Sequence, residues 1–432
     1  MEETLKFLIL FILFIVAMII RKIQGSWFAP GSFFSLFWFV NLFSTFLFAS
    51  SFTLHVNTVL LFFLLIFIFA VGSSLGMSIT SAGSNNIGTK EYLSFLKKVS
   101  LIFSLIGFLS FPFILYSTGG NILLLLKIES LMNLARENSI DRYSGNMVSS
   151  NFGTLLLSFN YTAALINGIV LGSNLENSKK TNVSKIILYL PIITSILIAL
   201  ILTTKATILY TSLLFLSGYI VIKEFHFPKL SLFTIANIKR MLIIGPVVFF
   251  IFVFIQMSRY GFNNLEGFFR VISIFKIWAF GHLPAFSSWF ENIYLINNEN
   301  IYYFGKYTFG GVFSILGISD RLPGVYSEGI TISSGGEATN IFTAMRGLIE
   351  DFGLIGTTFI LFITSFIFGV AYKQVKAGNY VYFSILSVFY CFTLFSFVIS
   401  ILVYNSILLA FILFWLISFS YFFITKYVGQ KG

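Results

Sequence analysis

Long apolar runs alternate with short polar breaks along almost the whole chain, and the runs are far longer than strands. A helix that crosses a ~30 Å hydrocarbon core needs about 20 apolar residues. Runs near that length fall at residues 4–20, 31–50, 56–76, 99–117, 151–172, 186–203, 206–222, 241–258, 352–372, 379–400 and 403–424. The pattern predicts an all-α fold, a polytopic transmembrane helical bundle of about 11 spans, forming a single integral membrane domain over residues 1–432. Most breaks are short, but the segments 117–150 and 259–351 are not. Connections of that length are usually functional or disordered. The second is rich in Phe, Tyr, Trp and Ile, which argues for a folded segment packed on the membrane surface. Residues 268–290 and 307–318 could also dip into the bilayer.

Inside the long segment, Phe268, Phe269, Ile272, Phe275 and Trp278 recur at helical spacing, with Glu266, Arg270 and Lys276 elsewhere on the wheel. This predicts an interfacial helix that Gly281 and Pro284 break. Residues 339–372 can form one helix of about 50 Å, longer than the membrane core. Its first turns, carrying Asn340, Thr343, Arg346 and Glu350, should project from the membrane or bend over at Gly353. Arg346 and Glu350 stand at i,i+4 and can pair on one face. In the shorter segment, ESLMNLARENSIDRYSG reads as a surface helix and a turn whose charges alternate in sign.

Charge fixes the expected orientation. With the N-terminus outside, the inner segments hold sixteen of the 27 Lys and Arg but three of the 16 Asp and Glu. The outer segments hold the rest. This asymmetry follows the positive-inside rule, so the C-terminus is expected inside and the span count odd. The net charge of +11 is accounted for by topology, and no continuous basic stripe suggests nucleic acid. The N-terminal run has acids before it and Arg21-Lys22 after it, the reverse of a secretory signal, so it reads as a retained first span.

Several chemistries are missing from the sequence. There is no phosphate loop, no HExxH, no GxSxG and no dinucleotide fingerprint. The single cysteine and three histidines offer no metal-ligand spacing. No cofactor and no metal are expected. The outer segments do carry Lys205, Arg259, Arg270, Arg321 and Arg346, and guanidinium groups suit phosphate and pyrophosphate. Glu328, Glu337, Glu350 and Asp351 stand beside them as possible bases or sugar-hydroxyl ligands. A lipid-pyrophosphate sugar would need both kinds of group, although surface ion pairs would look alike. Lys205, in the turn Thr203-Thr204-Lys205, either snorkels or presents charge to an anion at the bilayer edge. His282, in GHLPAF, reads as a base or as a hydrogen-bonded structural residue.

The stretch GGEATNIFTAMRGLIEDFGLIG, residues 335–356, resembles the O-antigen polymerases, the oligosaccharide repeat-unit polymerases of bacterial inner membranes. The similarity is carried by Asn340, Phe342, Thr343, Asp351, Phe352, Gly353 and Gly356, followed by a membrane span. YYFGKYTFGGVFSILGI, the TTKAT turn and the early Arg21, Lys22, Pro30 and Trp38 add to it. At Lys205 relatives often have Arg, so charge is kept but fork geometry is lost. The resemblance covers about thirty residues by motif and most of the chain by layout. It implies a multi-pass inner-membrane glycosyltransferase that is independent of metal. The donor would be a glycan on undecaprenyl pyrophosphate and the acceptor a lipid-linked repeat unit. A flippase, a chain-length regulator and a ligase of the same pathway would be its partners. Asp351, Glu337 and Arg346 are then candidate catalytic residues. Lys205, Arg259, Arg270, His282, Arg321, Asn340 and Thr343 are candidate substrate-binding residues. The alternatives are an O-antigen ligase and, outside enzymes, a lipid-linked oligosaccharide flippase.

Overall fold

The computed structural model describes residues 2–79, 89–123, 127–144, 150–173, 185–226, 235–260, 264–297, 302–319 and 326–427. Apolar runs become helices because a bilayer offers backbone N–H and C=O groups no partner outside the segment. Three N-terminal helices follow this rule: α1 (Glu2–Gln24), α2 (Pro30–Phe48) and α3 (Val56–Ile79). After them come α4 (Thr89–Phe108), α5 (Ser110–Ser117), α6 (Ile128–Ser144), α7 (Asn151–Ser173), α8 (Lys185–Leu202), α9 (Lys205–His226) and α10 (Ile235–Tyr260). The long connection then folds as α11 (Leu265–Phe280), α12 (His282–Trp289), a π-helical turn, the one-turn α13 (Leu295–Asn297) and α14 (Gly310–Ile315). It ends in a two-residue hairpin of β1 (Ile330–Thr331) and β2 (Ala338–Thr339). Helices α15 (Ala344–Lys376), α16 (Phe383–Phe395) and α17 (Asn405–Tyr427) complete the chain.

The protein is therefore an all-α, multi-pass membrane bundle. Among the described residues eight helices are long and apolar enough to cross a bilayer, lying in α1, α2, α3, α4–α5, α7, α9, α15 and α17. The other three expected spans take different forms. Residues 186–203 form a shorter apolar helix, and 241–258 lie in α10, which bends by 115° into α11. Residues 379–400 become a 3-10 turn, the 13-residue α16 and a buried loop. A helix of that length reaches only about 20 Å, short of the core.

Two compact units divide the chain: Met1–Asn86, Phe227–Leu230 and Ile274–Leu408 in the first, and Ile87–His226, Ser231–Ser273 and Leu409–Gly432 in the second. Each contains a helix pair drawn together by small residues. In the first, a Cβ on Gly76 would lie 2.1 Å from the Phe366 carbonyl oxygen, and one on Gly369 2.1 Å from that of Ser73. In the second, Gly168 and Gly218 bring α7 and α9 equally close. Lipid removes the hydrophobic drive for helices to associate, so close backbone approach and side-chain hydrogen bonds must hold them. Pro191 illustrates the second device. Lacking an N–H, it leaves the Ile187 carbonyl without its helical donor. Asn167 of α7 donates to Ile187 O at 3.2 Å and to Leu188 O at 3.1 Å.

Helix α6 confirms the expected surface helix. Leu134 packs into a cluster with Phe111, Ile114, Leu115, Ile198 and Ile201. Glu129, Arg136, Glu137 and Asp141 are exposed. The predicted interfacial helix is α11, which stops at Gly281; Pro284 sits in the first turn of α12, where a missing N–H costs nothing.

Candidate functional site

The sequence leaves two outcomes for the first turns of α15, projection from the membrane or a bend at Gly353, and the structure has the bend. Gly353 has φ 67° and ψ 179°, so α15 is two helices end to end. A Cβ at this position would also lie 2.8 Å from the Tyr302 ring. Only glycine meets both demands. The short helix before the break carries Arg346, Glu350 and Asp351; the long apolar helix follows it.

Arg346 Nε donates to Glu350 Oε1 at 2.8 Å, the predicted i,i+4 pair. It is not a surface pair. Arg346 is 9 % exposed, and its guanidinium carbon lies 3.8 Å from the ring centroid of Tyr326, 4.1 Å from Phe342 and 5.1 Å from Trp289. Three aromatic faces thus stand in for water around the cation. Among the described residues the Nε bond is the guanidinium's sole hydrogen bond, which leaves both terminal nitrogens as donors. Glu350 Oε2 and the Tyr326 hydroxyl are buried and make no hydrogen bond of normal geometry among the described residues. They still sense each other: burial first, then the Glu350 charge, pushes the Tyr326 phenol well above its usual value.

Asp351 does something different. Its two carboxylate oxygens accept the Tyr307 N–H at 3.1 Å and the Thr308 N–H at 2.7 Å. The Asp351 and Glu350 carbonyls accept from Phe304 and Tyr303. The whole turn 303–308 is thereby clamped to the short helix. Phe304 adopts a positive φ of 47° within it, an uncommon state that this clamp sustains.

The remaining candidates fall into place around this core or away from it. Asn340 Nδ2 donates to Tyr326 O at 3.0 Å, fixing the ring that covers Arg346. Thr343 is the residue before α15; its hydroxyl is buried and makes no hydrogen bond among the described residues. Glu337 belongs to the hairpin turn, where Oε2 accepts from Ser333 Oγ at 2.5 Å. His282 is buried against Phe397, with ring centroids 5.4 Å apart, and neither ring nitrogen has a partner among the described residues. Burial lowers its pKa to about 3, so the ring is neutral at physiological pH. Lys205, at the start of α9 after the positive-φ Thr203, belongs to the second unit with Arg259 and Arg270. Arg321 lies outside the described residues, as does the side chain of Arg142.

Sequence reading did not single out Trp289 or Tyr326, and it did not foresee the hub formed by residues 393–404. There Ser396 O accepts the Ala344 N–H and Ser400 Oγ donates to Thr308 O. The apolar pattern of that stretch gave no sign of a loop. A readable signal did exist for Tyr326, since it stands in the same polar island as Arg346. Among the described residues no group of three or more His, Cys, Asp and Glu side chains is arranged to hold a metal ion.

Comparison with protein-family models, with curated proteins and with solved structures finds no match to this chain.

Proposed function

We propose that this membrane protein is a glycosyltransferase that uses lipid-pyrophosphate-linked glycans. Within that class we read it as an O-antigen, or oligosaccharide repeat-unit, polymerase of the bacterial inner membrane, working at the periplasmic face. The observation that carries the reading is the Arg346 box. Burying an ion pair is expensive, and a well-packed apolar pair of the same volume is often neutral or more stable. A buried pair at the start of a membrane span, with two guanidinium nitrogens that make no hydrogen bond among the described residues, fits a site for an anion that arrives from outside the fold.

The chemistry follows from these groups. An acceptor sugar hydroxyl attacks the anomeric carbon of the donor glycan. Its C–O bond forms as the bond from that carbon to the pyrophosphate oxygen breaks, and undecaprenyl pyrophosphate leaves with the electron pair. Arg346 stabilises the leaving charge. Glu350, through Oε2, which makes no hydrogen bond of normal geometry among the described residues, takes the hydroxyl proton. Asp351 has both oxygens occupied by backbone N–H groups, so we assign it to positioning the turn at 303–308. Asn340 and Thr343 shape the same end of α15. The flippase, the chain-length regulator and the ligase of the pathway are the partners this reading implies.

Arg346→Ala should leave lipopolysaccharide capped with a single repeat unit. Because that change strands Glu350 in a buried site, a double change, Arg346→Met with Glu350→Leu, accompanies it. The double variant should accumulate in the membrane at wild-type levels and still make no long chains. Normal long-chain banding in the double variant would reduce the pair to a structural element and sink the assignment. The ligase alternative predicts that loss of the protein leaves no glycan attached at all, rather than a single unit.

A further inference from the structure

The other end of the first unit holds a cavity that the proposed chemistry does not use. About twenty residues of α15 separate Gly353 from Lys373, roughly 30 Å of helix and so a full membrane core. There a cavity of about 360 Å³ opens among the ends of α1, α3 and α15. Gln24, Ser26, Met77, Tyr372, Lys373 and Lys376 line it, and no carboxylate is among the described lining residues. Lys373 forms no ion pair among the described residues.

The floor is rigid. Gln24 Nε2 donates to Ser73 Oγ at 2.8 Å and Ser74 Oγ at 2.9 Å, while its Oε1 accepts from the Ser32 N–H at 3.0 Å. Gly25 turns the chain away at φ 78°. Three helix ends contribute negative partial charge here, roughly half an elementary charge each. The two lysines of the lining, with Arg21 and Lys22 exposed on the last turn of α1, outweigh them. Among the described residues the cavity is net positive. Beside it the same helix ends expose apolar side chains, Ile23 at 69 % and Ile79 at 71 %.

We infer that this cavity binds the phosphate headgroup of an anionic membrane lipid. Lys373 and Lys376 hold the phosphodiester, and the acyl chains lie along the exposed apolar faces of α1 and α3. Net positive charge selects an anion, and adjoining apolar surface selects a lipid over a soluble phosphate. In the orientation expected from charge this is the inner leaflet, where basic segments meet anionic headgroups.

The test uses the full chain purified in detergent, followed by reconstitution into vesicles of phosphatidylglycerol or of phosphatidylcholine. Each lysine beside an anionic headgroup is worth roughly fivefold in affinity. Lys373→Gln with Lys376→Gln should therefore weaken phosphatidylglycerol retention about thirtyfold, read by mass spectrometry of the lipid carried through purification. Lys97→Gln with Lys98→Gln, on α4, should leave it unchanged. Met77→Trp, which fills the cavity and keeps both charges, should also expel the lipid, so the result does not depend on one variant's folding. Equal retention of the two lipids by the wild type, or undiminished phosphatidylglycerol in both cavity variants, would overturn the inference. So would thermal stabilisation by inorganic phosphate equal to that by phosphatidylglycerol, which would mark a soluble-anion site.

Discussion

Helices α6 and α15 both begin as polar helices with Arg and Glu or Asp within a few residues of each other, yet they treat their charges oppositely. On α6, Arg136 and Glu137 face outward, and burial falls to Leu134, Ala135 and Asn138. On α15, Arg346 and Asp351 are buried and Glu350 is largely so. Composition does not separate the two. The difference lies in what approaches from elsewhere in the chain. Helix α6 rests one face on an apolar cluster, while Arg346 is enclosed by Trp289 of α12, by Tyr326 ahead of the hairpin and by Phe342 just before its own helix. A charge that the chain encloses commits its neighbours; one on an open face does not.

That contrast can be broken by mutation, and the largest effect should come at the enclosed arginine. Arg346→Ala leaves Glu350 buried without its partner and should cost about 3–5 kcal/mol of stability. Arg136→Ala should stay within about 0.5 kcal/mol. Denaturant or thermal unfolding of the two variants in the same detergent measures the gap, and equal effects would erase the distinction. Asp351→Asn comes next. It keeps the shape but trades a charged acceptor for an amide that can accept only one of the two N–H groups, at a cost of about 1.5–3 kcal/mol. Hydrogen exchange should rise at Tyr307 and Thr308 before it rises elsewhere. Gly353→Ala combines a left-handed φ with a clash against Tyr302 and should cost about 2 kcal/mol. Adding Tyr302→Ser relieves the clash but leaves the φ cost, so stability should recover only in part.

The last contrast concerns buried polar groups, and it sharpens the same comparison. Asn138 of α6 finds the Ile201 carbonyl at 3.1 Å, whereas the nitrogens of His282 find no partner among the described residues. Burial lowers the folded-state pKa of His282 from 6.5 to about 3. The unfolded chain then binds the extra proton between those values, so this contribution is intact above pH 6.5 and declines as pH falls. The slope is about 1.4 kcal/mol per pH unit in that window. His282→Leu should flatten the acid limb of the stability–pH profile; an unchanged limb would show that other groups set it.

Much of this was legible in advance. The run lengths identified the membrane helices, because a bilayer demands about twenty apolar residues and leaves the backbone one way to satisfy itself. The i,i+4 spacing identified the Arg346–Glu350 pair, because it depends on neighbours along one helix, while the glycine at 353 marked a bend as one of two outcomes. The fate of residues 379–400 was not legible. A run of apolar residues looks the same whether it spans a membrane or folds back as a short helix and a buried loop. Nor was the role of Asp351, which depends on two backbone N–H groups 43 and 44 residues away in sequence.

The sequence by itself determined that this is an all-α membrane protein, where most of its helices run, and which short polar island interrupts them. Those properties come from local periodicity and from the solvent the chain must live in. Only the tertiary structure decided that Arg346 is enclosed rather than exposed, that Asp351 clamps a turn, and that Lys373 and Lys376 share a cavity with Gln24. Each of these is set by residues far apart in the chain, whose meeting no spacing along it records.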